Sequence, residues 1–374
     1  MIKVLQFIHG LNMGGAETLV KEYALGLDKQ KFDITVLCQE RLNSPWEKRL
    51  SDAGIRVIYT SDKMLLYGKK NVLAKSINII MQFWLSRKYI RSIGPDIIHE
   101  HVVLSNYLRF AKPKKGTKIF YTQHFQVNRL KNNFPMDIKA TKWLINHYDV
   151  RMIALNHDMK EELEDLFGLD NVAVLNNGIN IKRFIDVKEK DIIRKEIGIP
   201  QNAFVVGHVG RFDPVKNHKF LVRVFAEVKK QRENAFLLMV GQGYTKDAVW
   251  RYLRELHLDE YAIILSDRTD IPDLMHAMDI MVLTSVSEGM PVTLIEAQIA
   301  KLNCLVADCV PKAIQISNLV QFSGLDEEPV VWANKIINLA KKDPIYKELD
   351  KWDISKIITE LEKLYEESMR QISK

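Results

Sequence analysis

Short apolar runs rich in β-branched residues recur along the chain, and most are followed by a stretch with helical spacing. The first series of predicted strands covers 3–8 (KVLQFI), 33–38, 55–59, 96–99, 118–122, 151–155 and 171–175. A second series covers 203–209, 235–240, 261–265, 279–283 and 303–307. Helical patterns between them include 16–28, 135–148, 217–231, 245–256 and 291–301. Continuously apolar strands are covered on both faces, and their alternation with helices implies parallel sheets. The two series flank 176–202, whose Asn, Gly and charge read as a linker or hinge. The expected fold class is therefore α/β, with two Rossmann-like domains, 1–176 and 177–354, facing across a cleft. An amphipathic helix over 355–372, with Ile358, Leu361, Leu364 and Tyr365 on one face, is expected to end the chain in a segment 355–374.

Composition narrows the class. Of 374 residues, 47% are hydrophobic and 27% charged, ordinary values for a globular chain with a substantial core. Three cysteines (Cys38, Cys304, Cys309) cannot staple such a chain and lack zinc-type spacing. There is no Asn-x-Ser/Thr sequon, and the start MIKVLQFIHG lacks the order of a signal peptide. The longest near-apolar stretch, between Lys75 and Arg87, falls well short of the ~20 residues that span a bilayer. These features point to a reducing cytoplasm. The net charge of +7 is unevenly spread: residues 1–175 hold 26 basic and 18 acidic side chains, the remainder 28 and 29. Within 63–118 there are 12 basic and 2 acidic residues. A basic first half implies an anionic partner: nucleic acid, acidic lipid or a phosphorylated substrate.

Three segments could carry chemistry. The loop HGLNMGGAE follows the first strand, and glycines there let backbone amides approach phosphate or simply serve a tight turn. GRFDPVKN, 210–217, again lies between a strand and a helix. Its Arg211 and Lys216 could hold a diphosphate at the sheet edge, or be ordinary charges on a solvated loop. The segment TSVSEGMPVTLIEAQIA, 284–300, places Glu288 in a turn and Glu296 inside a helix whose expected first residue is Pro291. Amides near Met290 to Thr293 would favour an anion or sugar hydroxyls, while the glutamates either bind hydroxyls or complement the helix end. Such a carboxylate pair also suits a glycosidase, but Arg211 and Lys216 fit a leaving phosphate better. No Asp-x-Asp occurs to hold a metal diphosphate, so fixed basic side chains would take over that work.

The ordered set GGAE (14–17), DIIHEH (96–101), TQH (122–124), NNGI (176–179), GRFDPVKN (210–217) and SEGMPVTLIEAQ (287–298) resembles the retaining glycosyltransferases of family 4. The likeness is greatest to their bacterial exopolysaccharide and capsule branch. It covers nearly the whole chain and implies the GT-B fold, with the last helix crossing back to the N-terminal domain. By this resemblance the loop at Gly15 packs on the donor's phosphates, and Arg211 with Lys216 binds the diphosphate. Glu288 contacts the transferred sugar, and the donor-binding stretch Gly289, Met290, Pro291 and Val292 holds hydroxyls and phosphate through its amides. Glu296 takes the ribose, and the backbone near Arg268 reads the base. His124 matches a histidine beside the donor sugar. His99 and His101 stay open, since one of them could simply pack beneath the loop. Pro291 stands where many relatives have glycine and removes one amide donor, and Leu302-Asn303-Cys304 stands where they have Gly-x-Pro further on; these departures bear on the donor's identity.

The resemblance implies a nucleotide-sugar donor, expected to be UDP-linked, a lipid-linked saccharide acceptor, and neither cofactor nor metal. If 72–92 is helical, Leu73, Ile77, Ile80, Met81, Trp84 and Lys88 fall on one side, and the expectation is that this stripe packs on the sheet. Basic flanks (Lys69, Lys70, Arg87, Lys88, Arg91, Lys112, Lys114, Lys115) would rest on anionic lipid, making the protein peripheral on the inner face of the membrane. Three other readings stand beside this one: a GT-B epimerase, a non-catalytic partner subunit, and, ranked last for want of a motif, a nucleic-acid-binding protein.

Overall fold

The computed structural model describes residues 1–64, 66–68, 71–339 and 342–370, so Lys69, Lys70 and the last four residues of the expected 355–374 segment lie outside the described residues. The chain forms two compact units: Met1–Gly178 together with the segment from Ile354 onward, and Ile179–Asp353.

The first unit is built on seven strands: β1 (Ile2–Ile8), β2 (Phe32–Cys38), β3 (Arg56–Tyr59), β4 (Ile97–His101), β5 (Lys118–Thr122), β6 (Val150–Ala154) and β7 (Ala173–Val174). All pair in parallel, in the order β3-β2-β1-β4-β5-β6-β7. The second unit has six: β8 (Phe204–Val209), β9 (Ala235–Val240), β10 (Ala262–Leu265), β11 (Ile280–Leu283), β12 (Asn303–Ala307) and β13 (Val320–Ser323). Their order is β10-β9-β8-β11-β12-β13, again parallel. Each sheet reverses its order once, between β1 and β4 and between β8 and β11. Loops leaving the carboxyl ends of those two strands diverge, and ligands of open α/β sheets bind there.

Most strands lie within two residues of their expected bounds. The strand β13 was not anticipated, because VQFS, although it alternates apolar and polar residues, is only four residues long and has no continuous apolar run. The boundary between the units falls inside the stretch 176–202, between Gly178 and Ile179, but the rest of it is not linker. It contains the helix Lys190–Ile197, whose Ile193 is buried and whose Arg194 pairs with Asp279 at 2.8 Å and donates to the carbonyls of Ala277, Gln201 and Ala203. Its polar composition hid a short amphipathic element.

The final helix, Ile354–Arg370, belongs to the core of the first unit. Ile354, Ile357, Ile358, Leu361 and Tyr365 pack among Val4, Val20, Phe32 and Ile34. Gly178 lets the chain pass: a Cβ there would lie 2.7 Å from the Ile354 Cα.

The helix Val72–Ile93 departs from expectation. Its buried residues are Ala74, Ser86 and Ile90, whereas Leu73, Ile80 and Trp84 are 71%, 59% and 60% exposed. Apolar residues surround this helix, so spacing alone did not select the inward face. The face turned towards the helix Ser105–Ala111 carries Phe83, stacked on Tyr107 at 4.3 Å between ring centres, and Arg87 and Arg91 donate to the last carbonyls of that helix. Among the described residues, no helix is long and apolar enough to cross a membrane.

Two buried carboxyls lie under the start of the helix Ser105–Ala111. Glu100 accepts from the Leu104 amide at 2.7 Å and the Ser105 hydroxyl, and Asp137 accepts from the Asn106 amide and side chain, both at 3.2 Å. Burial raises Glu100 well above the carboxylate range and Asp137 to about 7. The folded chain thus keeps a proton at Asp137 that the unfolded chain releases near pH ~4, so stability falls as pH rises from there towards 7. Asp137→Asn is expected to flatten that slope. Thermal unfolding should show the variant above the wild type at pH 8, with the gap shrinking towards pH 5. Parallel curves would refute this.

Candidate functional site

The reversal between β8 and β11 brings together two of the segments singled out from the sequence. GRFDPVKN leaves β8, and TSVSEGMPV leaves β11. Asp213 accepts from the Val215 amide at 3.0 Å and starts the single turn Pro214–Lys216, and Asn217 follows in the left-handed region at φ 53°. The Thr284 hydroxyl donates to the Lys216 carbonyl at 3.0 Å, and the Val286 amide donates to that of Val215 at 2.8 Å. With the loops tied at the backbone, the Lys216 ammonium reaches Glu288 Oε1 at 2.5 Å, both side chains largely buried. Arg211, at the start of the same loop, is exposed.

The helix after β11 runs Val292–Ile299, with Pro291 as its N-cap rather than its first residue. The expected placement shifts by one because Pro291 has ψ 93°, outside the helical region. Gly289 is half-buried, Met290 and Pro291 are buried, and Val292 opens the helix. Glu296 follows one turn later, half-buried. Arg268, in the loop after β10, commits its guanidinium to Asp270, with Nε donating at 2.8 Å, and this pairing lowers the Asp270 carboxyl below its usual range.

A third loop completes this edge and was missed in the sequence. Gly241 and Gly243 follow β9 at φ 155° and 149°, and Cβ atoms there would lie 2.0 Å from the Gly210 carbonyl oxygen and 2.2 Å from that of Phe212. Only glycine lets this turn press against the start of GRFDPVKN. Its signal was present as G-x-G directly after a predicted strand. Beneath the same loop His208 donates from Nδ1 to the Val282 carbonyl at 2.9 Å, and burial lowers it to about 4.

In the first unit, Gly15 begins the helix Gly15–Gly26 behind its N-cap Gly14, and it is exposed. His124 lies just past β5, half-buried. His101, on β4, meets it with Nδ1 at 3.0 Å from His124 Nε2. His99 and His101 are both fully buried, stacked 4.1 Å between ring centres, and tied into the core by hydrogen bonds. Burial lowers His124 to about 3, leaving a neutral imidazole. Among the described residues, no group of three His, Cys, Asp or Glu side chains is placed to hold a metal ion.

Strand-end loops carrying cations, a carboxylate and a helix N-terminus are suited to a phosphorylated sugar donor. Comparison with known proteins agrees. Residues 13–183 match Glycosyltransferase Family 4, and residues 189–352 match Glycosyl transferases group 1. The chain is 27% identical over 377 residues to the UDP-Gal:α-D-GlcNAc-diphosphoundecaprenol α-1,3-galactosyltransferase of Escherichia coli, covering 92% of each. It is also 27% identical over 351 residues to the Bacillus subtilis protein named as glycosyltransferase EpsF, covering 90% of this chain and 88% of that one. Among solved structures, Anabaena HepE in complex with UDP and glucose superimposes with a TM-score of 0.73 over 98% of this chain and all of its own, at 18% identity, and so shares the fold. The two Rossmann-like units are those of GT-B enzymes, and the chain belongs to the glycosyltransferases, its first part to family 4 and its second to group 1.

Proposed function

We propose that this chain is a retaining, metal-independent glycosyltransferase. It moves a hexose or N-acetylhexosamine from a UDP-sugar to a lipid-linked saccharide in bacterial exopolysaccharide or capsule assembly. The observation that carries this reading is the meeting of Lys216 with Glu288 at the order reversal of the second sheet. The Escherichia coli relative, named for a UDP-linked hexose and a diphosphoundecaprenol acceptor, supports the substrate class.

In this reading the donor C1–O bond breaks and its electron pair departs on the diphosphate. Arg211, Lys216 and the start of the helix Val292–Ile299 stabilise that charge, so no metal is needed. Glu288, fixed by Lys216, accepts from hydroxyls of the sugar, with the amides of Gly289, Met290 and Val292 around it. Glu296 accepts from the ribose, the backbone near Arg268 reads the base, and the turn at Gly15 takes phosphate. The acceptor oxygen bonds to C1 from the face the diphosphate leaves, and its proton passes to the departing phosphate.

A thermal-shift panel with UDP, GDP, ADP and common UDP-sugars tests the donor site. A ligand at 100 times its Kd stabilises by about 2.7 kcal/mol. Selective stabilisation by uridine compounds, lost in Arg211→Ala, is the expected result. Indifference to every nucleotide would end the reading. Turnover in EDTA and the anomeric configuration of the product decide metal independence and retention.

The same proposal places the protein on the inner membrane face through the helix Val72–Ile93. Val72, Leu73, Ile80 and Trp84 are exposed together, which soluble surfaces rarely tolerate without a partner. Beside Trp84 a groove of about 620 Å³ is lined by Phe83, Phe110 and Trp143 with Arg87, Arg109 and Lys112. Aromatic and cationic side chains side by side suit an anionic bilayer surface. Leu73→Ser with Trp84→Ser should weaken sedimentation with phosphatidylglycerol vesicles by roughly tenfold or more, since each buried apolar side chain contributes about 1.5–3 kcal/mol. Unchanged binding would count against this face.

A further inference from the structure

An unbroken row of polar side chains links the strand ends of the first unit to its last helix. In order it runs His124, His101, Gln6, Tyr365, His99 and Thr122, with contacts of 3.0, 2.6, 3.2, 2.6 and 2.7 Å. All but His124 are fully buried, and burial keeps the three imidazoles neutral, His99 and His124 near 3 and His101 well below its ordinary value. Each ring therefore carries one N–H and one lone pair.

The separations give the row a direction. His101 Nε2 lies 2.6 Å from Gln6 Oε1, while Gln6 Nε2 lies 3.2 Å from the Tyr365 hydroxyl. Exchanging the two amide atoms would put nitrogen against nitrogen at the short contact and oxygen against oxygen at the long one. N–H···O bonds span about 2.7–3.2 Å and O–H···O bonds about 2.5–3.0 Å, so the exchanged amide fits both contacts worse. Gln6 Oε1 can only accept, which places the His101 proton on Nε2 and a lone pair on its Nδ1. That lone pair requires the proton of His124 to sit on Nε2. At the other end, the Tyr365 hydroxyl accepts from Gln6 and donates to His99 Nδ1, and His99 donates from Nε2 to Thr122.

We infer that Gln6, His101 and Tyr365 are positioning residues that hold His124 as its Nε2–H tautomer, presenting the Nδ1 lone pair to a hydroxyl of the bound sugar. This rests on the proposed function and on His124 being a donor-site residue in it, the role that its match to the histidine beside the donor sugar implies. It follows that His124 acts as an acceptor and selects a sugar able to donate at that point. A sugar lacking that hydroxyl leaves the lone pair unmatched and is disfavoured.

The test is long-range proton–nitrogen NMR on the full chain with ¹⁵N-labelled histidine, the His124 signals being identified by their loss in His124→Asn. The Nε2–H form is expected in the wild type. Gln6→Leu and Tyr365→Phe should each give a mixture of tautomers, with kcat down about tenfold and KM for the donor little changed. A wild-type Nδ1–H form, or a tautomer indifferent to both substitutions, would overturn the inference. Full turnover by His124→Asn would instead remove the donor-site reading while leaving the tautomer result standing, so the two failures are distinguishable.

Discussion

Lys216→Ala is expected to lower kcat by about 10²–10³-fold, the usual cost of removing one fixed donor from a developing charge. Lys216 has two tasks in the proposed reaction. It neutralises the departing diphosphate, and it holds Glu288 at 2.5 Å with only 12% of the carboxylate side chain exposed. Arg211 shares only the first task, being exposed, so Arg211→Ala should cost less than Lys216→Ala, and the double variant should approach background. The two tasks separate by leaving group. A donor whose leaving group needs little charge stabilisation should recover most of the activity lost in Arg211→Ala but only part of that lost in Lys216→Ala. Steady-state turnover with matched UDP-sugar concentrations measures each value. If both single variants keep wild-type kcat, the diphosphate is stabilised elsewhere and the site assignment is wrong.

Leu361→Ala should be the most damaging single truncation in the last helix. Leu361 is fully buried among residues from both segments of the first unit, and removing such a side chain costs about 2–5 kcal/mol through lost transfer energy and a cavity. Collapse around the gap is limited because Tyr365, one turn on, is anchored to Gln6 and His99. Denaturant unfolding should show the first unit melting earlier while the second keeps its midpoint. Exposed positions on the same helix, such as Lys363, provide the control, with changes expected within about 0.5 kcal/mol. A loss below 1 kcal/mol at Leu361 would mean that the helix is only loosely held.

How much of this was legible in the sequence follows from what fixes each feature. Buried parallel strands announce themselves by continuous apolar runs, so KVLQFI and AFLLMV were placed with near-correct ends. The meeting of Lys216 and Glu288 was not readable from spacing, because it depends on the reversal of strand order between β8 and β11. Only the resemblance hinted at it. The outward face of the helix Val72–Ile93 was misjudged because its apolar residues occur on all sides, so spacing did not single out Ala74, Ser86 and Ile90 as the buried positions. Pro291 misled by one position, since proline favours both the first helical residue and the extended residue before it. The buried row from His124 to Tyr365 joins residues up to 359 positions apart, and nothing local marks it.

The first unit is assembled from two stretches of chain that the whole second unit separates. During synthesis, therefore, residues 1–178 leave the ribosome long before their last helix exists. At about 5–20 residues per second, the surface around Val4, Val20 and Ile34 stays uncovered for on the order of ten seconds or more. In that interval Tyr365 is absent, and Gln6 and His101 have not yet been locked. The second unit, continuous in sequence, can finish folding first. Transfer that needs a positioned His124 is then expected only once the final helix has docked.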